Sequence, residues 1–219
     1  MKKISAIILS VVFVFCLAGC SQTESGTSSS MSDRTSSAPN TVNNSSTGAD
    51  SSAEEDNTNT QNGTLIVYFS WSSNTEKIAN LIKEQTGGDI LELVPENAYP
   101  TDYTECTEVA LEERDSNARP KIKDLPESIS EYNKIIIGYP IWWHTAPMII
   151  GTFLENYDLS GVDVYPFSQS ASMDTEQFDN SMEFIRECAD NANVHDGLFA
   201  SSSDTETIAK YLTDNGLTK

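Results

Sequence analysis

The twelve residues Thr64–Thr75, TLIVYFSWSSNT, constrain the fold of this chain more than any other stretch. Leu65, Ile66, Val67, Tyr68 and Phe69 form a near-continuous apolar run, the pattern of a parallel strand covered on both faces. The run stops at Ser70, and Ser72, Ser73, Asn74 and Thr75 follow at once. Ile78, Ala79, Leu81 and Ile82 then recur at helical spacing. A strand that turns through hydroxyls directly into a helix can hold a phosphate, because free backbone N–H groups and the positive end of the helix dipole converge there. The turn contains no Lys or Arg, and the Gly-Lys-Ser/Thr of a nucleotide-hydrolysing P-loop is missing. Neutral donors of this kind suit a bound cofactor phosphate. The same residues also fit an ordinary helix start, with Ser73 and Glu76 spaced as a capping box.

Composition divides the chain into three parts. Residues 1–20 begin with Lys2 and Lys3 and continue with an apolar stretch from Ile4 to Ala18. That stretch is shorter than the roughly 20 residues of a comfortable membrane span, so it reads as an export signal. Its end, Leu17-Ala18-Gly19-Cys20, resembles the lipobox of bacterial lipoproteins, which implies cleavage before Cys20 and lipid on the Cys20 thiol. A plain signal peptide ending in cysteine is the alternative. Residues 21–63 are almost entirely Ser, Thr, Asn, Gly, Asp, Glu and Gln, too polar to offset the entropy of ordering them. They read as a disordered tether reaching roughly 35–40 Å root-mean-square. Residues 64–219 read as one folded domain with ten Lys or Arg against 27 Asp or Glu, a formal charge of −17. A surface so acidic is unsuited to nucleic acid or anionic lipid, leaving the lipid anchor as the only expected membrane contact. Cys106 and Cys188 fall in separate expected helices and read as free thiols. Neither their spacing nor that of His144 and His195 fits a metal site, so no metal is expected.

Within the domain, strand and helix alternate five times. After the first helix, about Thr75 to Thr86, Gly87-Gly88 closes the turn. The expected elements continue with strand Asp89–Val94, helix Thr101–Ser116, an irregular segment 118–132 and strand Lys134–Tyr139. Helix Pro147–Tyr157, strand Asp163–Phe167, helix Thr175–Ala189, strand Val194–Phe199 and helix Asp204–Asn215 complete the order. Such alternation implies an α/β fold with a parallel sheet between two helical layers. In strand order 2-1-3-4-5 the switch point lies between the first and third strands, where ligands bind at the carboxyl ends. That rule selects two loops, Ser70–Thr75 and the one after Tyr139.

The second loop reads Pro140-Ile141-Trp142-Trp143-His144-Thr145-Ala146-Pro147. If the side chains of the adjacent tryptophans diverge, one packs inward and the other offers a flat apolar surface to a planar aromatic cofactor. Alternatively, both indoles cover the sheet end as core. FSWSSNT after the first strand and GYPIWWHTAP after the third together resemble the flavodoxin family, in particular a bacterial branch with this double-tryptophan loop. Ala98–Tyr103, Ala118-Arg119-Pro120, Phe153-Leu154-Glu155 and Tyr157–Gly161 resemble it in the same order. The resemblance implies a flavodoxin-like three-layer sandwich with a five-stranded parallel sheet and FMN held non-covalently.

Carried over by position, Ser70, Ser72, Ser73, Asn74 and Thr75 surround the phosphate. Pro140, Ile141, Trp142 and Trp143 line the isoalloxazine, and His144 stands beside them. The loop after the fourth strand is usually glycine-rich in this branch, whereas here it reads Phe167-Ser168-Gln169-Ser170-Ala171-Ser172-Met173. Ala171 and Ser172 carry a Cβ that restricts positive φ, and Ser170 still matches as a donor to the flavin's pyrimidine edge. No Ser-His-Asp, Cys-His or paired-carboxylate arrangement stands out, so no catalytic residue is expected and the chemistry is the cofactor's own. A desolvated ring in so acidic a domain points to a low reduction potential. The function these readings imply is electron transfer by a lipid-anchored flavoprotein on the outer face of the cytoplasmic membrane, serving a redox partner protein or a quinone. The alternatives are an NAD(P)H- or quinone-linked FMN reductase, and a surface binding module that kept the fold and lost FMN.

Overall fold

A computed structural model describes residues 63–219, so the expected signal peptide, the expected lipid site Cys20 and almost all of the expected tether lie outside the described residues. In chain order the elements are β1 (Gly63–Tyr68), α1 (Asn74–Thr86), β2 (Asp89–Glu92), α2 (Tyr103–Asp115), β3 (Tyr132–Pro140), α3 (Met148–Glu155), β4 (Asp163–Gln169), α4 (Thr175–Cys188), β5 (Asn193–Val194), β6 (Leu198–Phe199) and α5 (Thr205–Asp214). The sheet is parallel throughout, in order β2-β1-β3-β4-β5, with β6 also pairing β4.

Side-chain alternation along the central strands explains the layering. Ile66, Tyr68, Ile136, Tyr165 and Phe167 face Ile78, Ile82, Ile208 and Leu212, which come from α1 and α5. Leu65, Val67, Ile135, Ile137 and Tyr139 face the other way, onto Ile149, Phe153, Leu154 and Ile185 of α3 and α4. Both faces of β1 and β3 are therefore covered, which is why their sequences are apolar without interruption. On the second face α3 packs against both α2 and α4. Cys106 of α2 and Cys188 of α4 are free and buried.

Two expectations need correction. The fifth strand, expected over Val194–Phe199, is broken into β5 and β6. The cause lies in the neighbouring strand, at Pro166. His195 N–H donates to the Val164 carbonyl at 2.9 Å and Ala200 N–H to the Ser168 carbonyl at 3.2 Å. Val164 and Ser168 thus turn their peptide groups toward the fifth strand, and so does Pro166 between them. Pro166 has no N–H to give, so the ladder lapses there. One extra residue is absorbed between the pairs Val164↔Val194 and Phe167↔Leu198, as in a β-bulge. The second correction concerns the start of α1. Its N-cap Ser73 is left-handed (φ 59°) and makes no side-chain capping bond. A capping box needs an extended N-cap residue, so the Ser73–Glu76 box does not form.

Candidate functional site

The carboxyl ends of β1, β3 and β4 and the first half of α2 enclose a cavity of about 550 Å³, within the range of small-molecule sites. It sits at the switch point between β1 and β3. Three loops form it, each positioned by the end of a strand.

The first loop follows β1. Trp71, Ser72 and Asn74 line the cavity, and Asn74 Nδ2 donates to Ser72 Oγ at 3.2 Å. Trp71 is held from outside, its Nε1 donating to the Pro100 carbonyl at 2.9 Å. Ser70, Ser73 and Thr75 do not line the cavity: Thr75 is buried beneath the turn and Ser73 is exposed. Ser70 Oγ is buried and has no hydrogen-bond partner among the described residues. Such an orphan is uncommon, because an unpaired buried hydroxyl costs free energy. The left-handed Ser73 leaves the first-turn amides of α1 without a side-chain cap.

The second loop follows β3. Pro140, Ile141, Trp142, Trp143 and His144 all line the cavity. The two indoles do diverge. Trp142 packs inward, edge-on to Phe69 at 5.3 Å and to Tyr99 at 5.1 Å between ring centroids. Trp143 turns outward and is 39% exposed. Trp142 and Thr145 exchange backbone hydrogen bonds of 2.9 and 3.0 Å around a tight turn. Trp143 (φ 48°) and His144 (φ 64°) occupy its centre. Positive φ at both central residues defines a type I′ turn, normally built from Asn and Gly.

The third loop follows β4. Gln169, Ser170 and Ala171 reach the cavity. Ser170 Oγ accepts from the Met173 N–H at 3.0 Å and lies 3.3 Å from Ser172 Oγ. Ala171 and Ser172 both avoid positive φ, and the left-handed residue is Met173 (φ 50°). The loop without glycine therefore turns without left-handed strain at any of the three residues that reach the cavity.

Several lining residues are not among those expected from the sequence. Tyr103, Cys106, Thr107 and Ala110 present one face of α2, with spacings of three, four and seven residues. That periodicity was visible, but nothing marked the face as a site wall. Trp71 stood among the hydroxyls of the first loop, and Gln169 and Gln177 gave no signal. None of the described residues lining the cavity is Asp, Glu, Lys or Arg, although the domain around it is strongly acidic. Within the α2 wall, burial pushes the Cys106 thiol up, with a further push from Glu113. Burial also raises the Glu113 carboxyl, which accepts a 2.7 Å hydrogen bond from the Tyr99 hydroxyl.

Residues 63–215 match the family profile described as flavodoxin. Among solved structures, a candidate flavoprotein from Bacteroides uniformis ATCC 8492 is 30% identical, covers 69% of this chain and 98% of its own, and superposes with a TM-score of 0.62. One from Bacteroides eggerthii DSM 20697 is also 30% identical, over 69% of this chain and 96% of that one, with a TM-score of 0.61. A flavoprotein from Lactobacillus acidophilus NCFM, solved in complex with FMN, is 29% identical over 68% of this chain and 99% of its own, with a TM-score of 0.55. No match arises among curated proteins. The parallel sheet in order 2-1-3-4-5, the loop-built cavity at its switch point and the matched length agree, and the chain belongs to the flavodoxin family.

Proposed function

We propose that this domain binds FMN in the switch-point cavity and transfers electrons through it. The observation that carries the reading is the first loop, where the uncapped start of α1, beside Ser72 and Asn74 that line the cavity, leaves neutral backbone donors free for a phosphate. Ser70 Oγ in the same turn is buried without a partner among the described residues. The rest of the cavity fits the remainder of the cofactor. Trp143 offers an exposed aromatic surface, Trp142 backs the wall, and Ser170 and Gln169 supply polar groups at one end. Ser72 and Asn74 face the phosphate from this turn, to which Ser73 and Thr75 belong without lining the cavity, while Pro140, Ile141 and His144 border the ring. Bound FMN supplies the redox chemistry. The residues of this chain hold it, orient it and limit its contact with water. The FMN complex of the Lactobacillus acidophilus relative supports the assignment.

Attachment of lipid at Cys20, with residues 21–63 as tether, would keep this domain on the outer face of the cell membrane. There it passes electrons to a partner protein or a quinone. The lining favours a neutral quinone over NAD(P)H as a small-molecule partner, since none of the described residues that line the cavity is a Lys or Arg that could pair with a pyrophosphate. The test is direct. Full-length protein is extracted in mild detergent and titrated with FMN, and flavin fluorescence should be quenched by the adjacent tryptophans. Absence of binding at micromolar FMN would overturn the reading. Replacing Cys20 by Ser should release the protein from membranes, and a Cys20→Ser protein that stays membrane-bound would overturn the anchor.

A further inference from the structure

Trp143 and His144 hold a backbone conformation that neither residue type favours, so something must hold the turn. Beyond the backbone bonds between Trp142 and Thr145, the tethers come from α2. Trp143 Nε1 donates to the Thr107 carbonyl at 2.8 Å. The Arg114 guanidinium lies over the Trp143 indole, 5.6 Å from its centroid, and Arg114 Nη1 donates to the Trp143 carbonyl at 3.3 Å. Arg114 is itself fixed, because its Nε and Nη2 donate to Asp115 Oδ1 at 2.9 and 2.6 Å. Thr107 and Arg114 lie seven residues apart on one face of α2, so the indole is laid along the helix between them.

We propose that Arg114 is a positioning residue for the flavin site: it holds Trp143 in the orientation that receives the isoalloxazine, without touching the cofactor itself. The inference rests on the FMN reading above. Arg114 does not line the cavity, whereas Trp143 does and remains 39% exposed. A side chain with a planar fork can hold a ring and a carbonyl at once. Lysine, a point charge on a flexible stem, cannot.

The test uses the full-length protein in detergent with Arg114→Ala, Arg114→Lys, Trp143→Ala and the double variant Arg114→Ala/Trp143→Ala. Arg114 is partly exposed and its removal leaves the core intact. In FMN-free protein, Arg114→Ala should make the Trp143 emission more accessible to acrylamide, the Trp143→Phe protein identifying that component. Arg114→Ala should weaken FMN binding about fivefold to tenfold, the worth of one exposed cation–π contact and one hydrogen bond. Arg114→Lys should restore less than half of that loss on a logarithmic scale. In the Trp143→Ala background, Arg114→Ala should cost nothing further, because its effect passes through the indole. Equal losses in both backgrounds, or unchanged affinity in Arg114→Ala, would overturn this role while leaving FMN binding intact. Failure of the unmodified protein to bind FMN would overturn the cofactor reading and this role with it. The acrylamide measurement would still report whether Arg114 holds the indole.

Discussion

Replacing Ser70 by Ala should change the stability of the FMN-free protein and its affinity for FMN in opposite directions. Ser70 Oγ is buried with no partner among the described residues. Leaving a buried hydroxyl unpaired costs about 1–3 kcal/mol. Its deletion leaves only a small void, so the FMN-free protein should gain about 1 kcal/mol and unfold about 2–4 °C higher. With FMN the balance reverses. A hydrogen bond to a charged group contributes about 1.5–3 kcal/mol, so affinity for FMN should fall roughly tenfold to hundredfold. At a concentration of about 100 Kd, FMN adds about 2.7 kcal/mol to the unmodified protein, and about 1.4 kcal/mol to a variant binding tenfold more weakly. The variant therefore loses its advantage once the site is loaded. Thermal unfolding with and without FMN, combined with a fluorescence titration, measures both terms. Ser130→Ala is the control, because Ser130 is exposed, precedes β3 at the end of the sheet away from the cavity, and its Oγ already accepts from Ser128. A lower unfolding temperature for FMN-free Ser70→Ala would mean that the hydroxyl has a partner. Unchanged affinity would mean that the phosphate binds elsewhere. Either result refutes the reasoning.

Three further perturbations follow from particular contacts. A Cβ added at Gly138 of β3 would run into the Phe167 ring on the adjacent β4, where both residues are buried, so Gly138→Ala should destabilise by about 1–3 kcal/mol in a denaturant titration. Burial pushes the Cys188 thiol up to about 12 and raises that of Cys106, so neither should be alkylated by iodoacetamide at pH 8 in native protein, whereas both should be modified after unfolding, as read by peptide mass spectrometry. The hydrogen bond from Arg119 holds the Glu155 carboxyl below its ordinary value, so the pair contributes stability above the unfolded carboxylate range of about 4.3 and loses it as pH falls through the folded value. Glu155→Gln should accordingly narrow its stability deficit between pH 6 and pH 3, and a deficit independent of pH would refute the linkage.

Much of this architecture was legible because the relevant signals are local. Apolar runs marked β1 and β3 as central, and their strand–helix alternation located the switch point. Pro166 stands in plain view within the expected fourth strand, yet the fifth strand reads as unbroken in the sequence. The proline removes a ladder donor, and the break between β5 and β6 answers it one strand away. The identity of the cavity walls was harder to read. The α2 face of Tyr103, Cys106, Thr107 and Ala110 has helical spacing, yet spacing does not say which surface the helix turns toward. Gln169 and Gln177 reach the cavity only when β4 and α4 are in place.

The failed capping box and the unforeseen turn at Trp143-His144 share a physical cause. Seven non-glycine residues among those described have positive φ: Ser73, Asn117, Asp124, Trp143, His144, Met173 and Asn191. Asn and Asp tolerate the left-handed region through local hydrogen bonds, so Asn117, Asp124 and Asn191 need no special explanation. The other four fall in the three loops that build the cavity. Each left-handed residue of this kind costs on the order of 1–3 kcal/mol and persists only where surrounding contacts over-determine it. No dipeptide rule predicts Ser-Asn, Trp-His or Met-Asp in such turns: at Trp143 the cause is tertiary, since Arg114 and Thr107 hold it from α2, whereas Ser170 holds Met173 from within the same loop. The cost also rises where the cavity is built, which is the distribution expected when backbone geometry is set by a ligand's needs. In this domain the sequence encodes the scaffold through local pattern, and it encodes the site through departures from that pattern that packing enforces.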